Sequence, residues 1–203
     1  MTEKRLSLQK IVELQKFLIA FQEIERVIHV KTSTGHVKEN DIEHSYTLAM
    51  VGWYLSDSIP RLNRDLVIRY ALVHDVVEIY AGDTYVFADK KSLERKGQRE
   101  HQALKRIKKE WADFPAMLGS ITDYEKRSDE ESKFIYALDK IMPIVLNVIS
   151  EGYTWRKEKV TVQQLHEIKK DKVGVSPEIG QLYFDEIFSI LSDNPSWFSS
   201  KTQ

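Results

Sequence analysis

The stretch Leu66–Thr84, LVIRYALVHDVVEIYAGDT, decides how the rest of this sequence is interpreted. It is apolar on nearly every side of a helix, which is typical of a helix buried in a protein interior. Within it stand His74, Asp75 and Glu78, followed by Gly82-Asp83. Because an unpaired buried charge is costly, these groups must share protons, pair with each other or bind a cation. They lie within about one helical turn, so one small concavity can receive them.

The composition limits the classes of protein that this chain can be. Its 203 residues are 42% hydrophobic and 30% charged, which predicts one globular domain over residues 1–203. The formal net charge of −1 gives no basic surface for bulk nucleic acid, while a small anion in a local pocket is compatible with it. Without cysteine there is no disulfide or thiolate site, so imidazole and carboxylate must hold any metal ion.

The sequence also bears on the location of the protein. Residues 1–21 lack the unbroken apolar core of a secretory signal, and no run of about 18 apolar residues is present to span a bilayer. We therefore expect a cytoplasmic protein without a membrane partner.

Apolar periodicity and helix breakers predict a mostly helical chain. Glu25–Asn40 breaks the periodicity and is predicted to be a loop with some extended character. Asp41 or Ser45 is expected to cap the next helix, in which the aromatic side chains Tyr46, Trp53 and Tyr54 are expected to be buried. The predicted helices cover residues 7–24, 41–55, 66–84, 98–111, 115–126, 129–149, 161–172 and 177–192, with 84–97 irregular.

An isolated His-Asp pair such as His74-Asp75 is more often a hydrogen-bonded pair of core side chains than a metal site, so further candidate ligands decide between the two. His44 stands in the first turn of its helix, where a capping or surface role is the simpler interpretation. The breakers at residues 59–63 predict a helical hairpin, however, and this hairpin would bring His44 level with His74-Asp75.

Asp139 interrupts the apolar part of the predicted helix 129–149. Pro143, four residues later, removes the backbone donor for the Asp139 carbonyl and is expected to bend the helix there. A lone carboxylate in a buried helix needs a neutralising partner. Two imidazoles and two carboxylates suit a divalent metal ion. The predicted cofactor is one such ion, with Mn, Co, Mg, Fe, Ni and Zn all left open.

These residues stand in strings that resemble the HD-domain phosphohydrolase superfamily, and within it the 5′-deoxynucleotidase branch. The strings are EHS at 43–45, ALVHDVVE at 71–78, GDT at 82–84 and ALDK at 137–140, and the resemblance covers about residues 8–149. It implies an all-α fold, an HD-domain helical bundle with the metal site between central helices. It further implies that one metal ion is held by His44, His74, Asp75 and Asp139, and that Glu78 and Asp83 activate or position the attacking water.

Substrate recognition is less defined by the resemblance. In the deoxynucleotidase branch an arginine, often followed by tryptophan, contacts the phosphate and excludes a 2′-hydroxyl group. Arg26 corresponds to that arginine, but Val27 follows it, so the preference for a 2′-deoxy sugar stays open. Other residues in this segment, His29, Lys31 and His36, could contact an anion or lie in solvent. His101 is a weaker candidate for a second metal ion.

The sequence thus predicts a metal-dependent phosphohydrolase acting on a small phosphate monoester, foremost a 5′-(deoxy)nucleoside monophosphate. The alternatives are a nucleotide triphosphohydrolase or pyrophosphohydrolase, a non-catalytic metal or nucleotide sensor, and an iron oxygenase that lacks evident ligands for a second iron. The C-terminal helices, about residues 161–192, are interpreted as packing elements around the metal-site core. Bulky apolar residues leave a homodimer open, among them Trp53, Tyr54, Phe184 and Phe188.

Overall fold

The computed structural model describes residues 7–87 and 90–200. Its helices and strands follow in the order α1 (Leu8–Gln22), β1 (Glu25–Thr32), β2 (Gly35–Asn40), α2 (Asp41–Ser56), α3 (Arg64–Val73), α4 (Glu78–Ala81), α5 (Lys90–Glu110), α6 (Pro115–Lys126), α7 (Glu130–Ile149), α8 (Tyr153–Lys157), α9 (Val162–Val173), α10 (Pro177–Leu182), a π-helical segment (Tyr183–Ile187), α11 (Phe188–Asp193) and a 3₁₀ turn (Pro195–Trp197).

The all-α prediction is confirmed, with one small addition where a loop was predicted. Glu25–Asn40 is an antiparallel hairpin of β1 and β2, because β-branched residues are frequent in β1 and favour an extended chain. The pairing register changes between Glu25 and His29. Such an irregularity re-aims the side chains within it, and Arg26 lies there.

The stretch predicted as one helix over 66–84 is two helices joined by a tight turn. Helix α3 ends at Val73, and α4 begins at Glu78. Between them the backbone hydrogen bonds span three residues, from Val76 N to Val73 O (3.2 Å) and from Glu78 N to Asp75 O (2.8 Å). This tightening is typical of a 3₁₀ turn.

The break in the helix lies where two groups of buried apolar side chains meet. One group surrounds α7 and includes Leu48, Val67 and Leu138, and it extends to Leu165 of α9. The second lies among α1, α4, α5 and α6, with Val76 and Val77 in it. The His74-Asp75 turn therefore joins both groups. The C-terminal helices share the first group, and the one-domain organisation stays a prediction.

Helix α2 begins differently from the expectation. The N-cap is Asn40, not Asp41 or Ser45, and its side chain accepts from Glu43 N (3.0 Å) while the Glu43 carboxylate accepts from Asn40 N (3.4 Å). This capping box leaves Asp41 and His44 in the first turn, both 0% exposed. The Asn40 amide thus caps the helix in place of the Asp41 carboxylate.

The aromatic residues of α2 do not all face the core as predicted. Tyr46 is 62% exposed, Trp53 50% and Tyr54 77%, while Leu48 and Ala49 fill the buried face. These three aromatic side chains lie on the solvent-exposed side of α2. The predicted dimer is compatible with this face and stays a prediction.

Two further boundaries differ from the expectation. Helix α5 begins at Lys90, so most of the predicted irregular segment 84–97 is helical, while residues 88 and 89 of that segment lie outside the described residues. The last predicted helix is interrupted by a π-helical segment, and Ile190 is 42% exposed. The capping box Thr161-x-x-Gln164 at the start of α9 is confirmed. Over the described residues, no helix combines the length and apolar character needed to cross a bilayer.

Asn147, at the C-terminal end of α7, fixes the hairpin indirectly. Its side-chain oxygen accepts from the backbone N–H groups of Thr154 (3.1 Å) and Trp155 (3.3 Å), and the Thr154 hydroxyl accepts from His29 N of β1 (3.1 Å).

We expect Asn147→Ala to lower the free energy of unfolding by about 2 kcal/mol, because it leaves buried backbone donors unpaired. Urea denaturation measures this loss. An equal loss in Gln181→Ala, an exposed amide on α10, would contradict the explanation.

Candidate metal centre

Four side chains from three parts of the fold converge at one point. They are His44 in the first turn of α2, His74 and Asp75 in the turn after α3, and Asp139 in the middle of α7, and one ligand atom of each lies within 4.8 Å of all the others. His44 Nε2 is 3.0 Å from Asp139 Oδ1, and His74 Nε2 is 2.9 Å from Asp75 Oδ2. These are the four residues that the motif resemblance implies as ligands, and the fold brings all of them together.

The chemistry of these four residues fits a divalent metal ion. Imidazole nitrogen and carboxylate oxygen are ligands that Mn, Fe, Co, Ni and Zn accept. His74 Nε2 is buried and has no well-directed hydrogen bond within the described residues, so it is free to bind a cation. Ligation by the four residues remains a proposal that rests on this convergence.

Partners behind the two rings turn their Nε2 atoms toward the centre. His74 Nδ1 lies 2.8 Å from the carbonyl oxygen of Ala71, one turn earlier, and donates to it in the tautomer that leaves Nε2 free. His44 Nδ1 lies 3.4 Å from Glu39 Oε1. Outer partners of this kind fix the tautomer and the orientation of metal-binding histidines.

Glu39 was not identified by the sequence analysis. It is the penultimate residue of β2 and is 2% exposed, since the hairpin folds it against α2. A glutamate in a strand of mixed polarity resembles an exposed residue, and the flanking Lys38 and Asn40 give no sign of burial. Only the hairpin geometry assigns it to the site.

We expect Glu39→Ala to weaken metal binding by roughly 10–100-fold, the usual cost of losing an outer partner of a ligating histidine. Titration of the metal-stripped protein with Co, followed by its visible absorption, measures this. Glu25→Ala is the matched control, because Glu25 lies on the same hairpin but is exposed and pairs with Lys38. If both variants bind Co as the unmodified protein does, Glu39 does not position His44.

Burial and neighbouring charges determine the protonation of His44 and Asp139 at this centre. Burial and Arg26 favour neutral His44, but the carboxylates of Asp139 and Glu39 outweigh them and raise the pKa of His44 to about 9. Burial would raise the pKa of Asp139, yet Lys140, His44 and His74 hold it well below its ordinary value. A cation bound here therefore competes with a proton on His44.

Arg26, the predicted substrate-binding residue, lies at the edge of the centre. Its guanidinium Nη1 is 3.0 Å from both Asp75 Oδ2 and Asp41 Oδ1, and Nε is 3.3 Å from Glu39 Oε2. Burial opposes its charge, but the carboxylates, Asp75 foremost, raise the pKa of Arg26 well above its ordinary value. Arg26 thus stays charged next to the predicted ligands, and its contact with substrate stays a prediction.

Glu78 and Asp83, the predicted acid-base pair, line the same pocket as Asp75 and Asp139. Glu78 is 4% exposed, and burial together with the charges of Asp75, Asp83 and Asp41 raises its pKa to about 10. Its nearest cation among the described ion pairs is Lys96, at 3.7 Å. Burial likewise raises the pKa of Asp83.

The pocket beside the centre has a cavity of about 230 Å³ and is lined by three kinds of side chain. They are carboxylates, apolar and aromatic side chains such as Tyr85 and Phe87, and lysines. The lysines are Lys96, Lys140, Lys169 and Lys172. Two of them, Lys169 and Lys172, come from the C-terminal helix α9, which the sequence analysis interpreted as packing alone.

The remaining candidate residues lie elsewhere. His101 is exposed on α5 and belongs to none of the metal-binding clusters of the described residues. His36 stacks on Tyr153, with ring centroids 3.8 Å apart, and His29 Nε2 lies 3.0 Å from Lys157 Nζ. Lys31 is exposed on β1. Of the described residues that line the pocket, none is one of these four.

Comparisons with known proteins agree with this geometry. The family model of the HD domain matches residues 22–179. The chain is 34% identical over 131 residues to 5′-deoxynucleotidase HDDC2 of Mus musculus, covering 63% of this chain and 64% of that protein. It is 31% identical over 163 residues to 5′-deoxynucleotidase HDDC2 of Xenopus laevis, covering 77% of each. The match to the mouse protein thus spans less than two thirds of its length.

A solved structure has the same fold. It is a predicted metal-dependent phosphohydrolase from Magnetospirillum magnetotacticum MS-1, with a TM-score of 0.74 and 24% identity, covering 97% of this chain and all of that one. A family model covering most of the chain, a similar fold and the converging His-Asp set together define the class. The chain belongs to the HD domain family, which confirms the resemblance seen in its motifs.

Proposed function

We propose that this chain is a metal-dependent phosphohydrolase that releases phosphate from a small phosphate monoester, foremost a 5′-(deoxy)nucleoside monophosphate. The observation that carries the proposal is the convergence of His44, His74, Asp75 and Asp139 beside a pocket that lysine side chains also line. The relatives named 5′-deoxynucleotidase support the nucleotide as substrate.

The metal ion would be held by these four residues, and when bound it supplies a nucleophile from water near neutral pH and offsets charge on phosphoryl oxygens. Glu78 and Asp83 are suited to move protons beside it. A buried carboxyl such as Glu78, whose pKa is raised to about 10, holds a proton on its Oε atom and can deliver it to a leaving alkoxide. No covalent bond to the protein is required.

Other side chains that line the pocket suit the phosphoryl group, the base and the sugar of a nucleotide. Arg26 is placed to contact a phosphoryl oxygen beside Asp75. Tyr85 and Phe87, with ring centroids 5.4 Å apart, offer an aromatic surface for a base. Val27 occupies the position after the arginine, so we expect weaker exclusion of a 2′-hydroxyl group than a tryptophan would give.

Phosphate release by the metal-stripped protein, resupplied with Mn, Co or Mg, tests the proposal. The substrates are deoxyadenosine and adenosine 5′-monophosphates and the matching triphosphates, with Asp75→Ala as control. We expect metal-dependent orthophosphate release from monophosphates. Release of pyrophosphate or triphosphate from the triphosphates alone would replace this proposal by a triphosphohydrolase, and tight metal binding without any release would indicate a sensor.

A further inference from the structure

Lys169 is a buried lysine that the reaction described above leaves without a role. It lies on α9 between Leu165 and Val173, which are one turn before and after it on the same buried face. Its residue is 5% exposed, and its side chain lines the pocket beside the metal centre. Within the described part of the chain, its Nζ atom has no hydrogen bond and no ion pair. An uncompensated ammonium group in such a place is costly unless an anion binds it.

Lys172, also on α9, adds a second ammonium group to the pocket. It follows Lys169 by three residues, so both side chains leave α9 on one side, and it also lines the pocket. Like Lys169, it has no hydrogen bond or ion pair within residues 7–87 and 90–200. Two lysines of one helix therefore line the pocket.

The other cations of the pocket have carboxylate partners. Arg26 pairs with Asp75, Lys140 with Asp139, and Lys96 with Glu78. These pairs neutralise the cations close to the metal centre. Within the described residues, Lys169 and Lys172 are the pocket cations that have no such carboxylate partner.

The pKa values of the two lysines agree with their lack of carboxylate partners among the described residues. Burial and then the charge of Lys140 lower the pKa of Lys169 to about 7. Burial and Lys140 also lower the pKa of Lys172. Both lysines are therefore held close to other cations without enough negative charge, and a bound anion would restore their protonated forms.

We propose that Lys169 and Lys172 form an anion subsite of the pocket and bind phosphoryl oxygens of the substrate. The ligand class is a phosphate dianion, since two converging ammonium groups suit two charged oxygens on one phosphorus centre. This inference rests on the proposed function in that the same pocket receives the phosphate ester. In this proposal α9 belongs to the substrate site, and residues outside the His-Asp motifs contribute to recognising the phosphate group.

Binding of inorganic phosphate to the metal-loaded protein, measured by isothermal titration calorimetry, tests the subsite. We expect Lys169→Gln to raise the Kd for phosphate about tenfold or more, because a charge-assisted hydrogen bond is lost, and Lys172→Gln to raise it about threefold. Lys170→Gln is the matched control, since Lys170 is the next residue on α9, carries the same charge and pairs with Glu167 at 2.8 Å. Its Kd should equal that of the unmodified protein.

A second variant separates binding from folding. Lys169→Met replaces the buried charge by an apolar chain of similar length, so it should fold with an equal or higher Tm in phosphate-free buffer. Phosphate should raise the Tm of the unmodified protein, and it should raise the Tm of Lys169→Met clearly less.

Two results would overturn the subsite. One is an unchanged phosphate Kd in Lys169→Gln, and the other is an equal loss of affinity in Lys170→Gln. Because phosphate binding needs no turnover, these results are independent of the proposed function. A protein that hydrolyses no nucleotide but needs Lys169 to bind phosphate keeps the subsite, whereas an active protein with a normal Kd in Lys169→Gln loses only the subsite.

Discussion

Asp75→Ala is expected to lower kcat/KM for phosphate release by on the order of 10³-fold or more, because a metal ion contributes several kcal/mol to stabilising the transition state. The substitution removes a predicted ligand and also the carboxylate that accepts from Arg26. We therefore expect the metal affinity to fall together with the activity. Phosphate release and metal content after dialysis measure the two effects.

The thermal stability gives an independent test of Asp75. A metal ion that binds only the folded chain raises its Tm. Added Mn or Co should raise the Tm of the unmodified protein and have a much smaller effect on Asp75→Ala. Asp193→Ala, at an exposed aspartate at the end of α11, is the matched control and should behave as the unmodified protein does. Normal metal binding and activity in Asp75→Ala would refute the proposed metal centre.

Glu78→Gln is expected to lower kcat by about 10²–10⁴-fold, the range for loss of a general acid or base, while metal binding stays intact. Glutamine has the same shape but cannot exchange a proton in this role. The expected pattern therefore differs from that of Asp75→Ala, which loses both metal and activity. Steady-state kinetics at saturating Mn, with metal content measured on the same samples, separates the two.

An alternative role for Glu78 has a distinct outcome. Asp41, Asp75 and Glu78 form a second set of carboxylates whose ligand atoms lie within 4.8 Å of one another. If Glu78→Gln lost metal in proportion to activity, Glu78 would be a ligand and not a proton donor. Asp41→Asn in the otherwise unmodified protein tests that second set, because the Asp41 carboxylate would then be needed for the same ion and metal would be lost in this variant too.

The spacing of the ionisable residues in the sequence was informative because burial leaves them few roles. His74-Asp75 in an apolar helix and Asp139 in another predicted a shared cation before any contact was known. The short connection between α2 and α3 placed His44 beside them. Periodicity thus predicted the helices and the candidate ligands, and the resemblance to the HD-domain superfamily implied that these four residues hold one metal ion in an all-α fold.

The residues that line the rest of the pocket did not follow from the sequence in the same way. Glu39 and Lys169 resemble ordinary surface charges, because their burial depends on what packs over β2 and α9. For Lys169 one indication was available, since it interrupts the buried stripe of Leu165 and Val173. A lysine within a buried stripe is thus a signal that α9 does more than pack against the core.

The sequence by itself determined the helical class through its hydrophobic period, and its motifs, through their resemblance to the HD-domain phosphohydrolases, pointed to the family and to the candidate metal ligands. The tertiary structure alone decided where the central helix breaks. No glycine or proline lies between Leu66 and Ala81, so no helix-breaking residue marks the turn at His74-Asp75, which lies where two clusters of buried apolar side chains meet. Packing likewise decided which lysines reach the pocket, since contacts between distant segments determine burial.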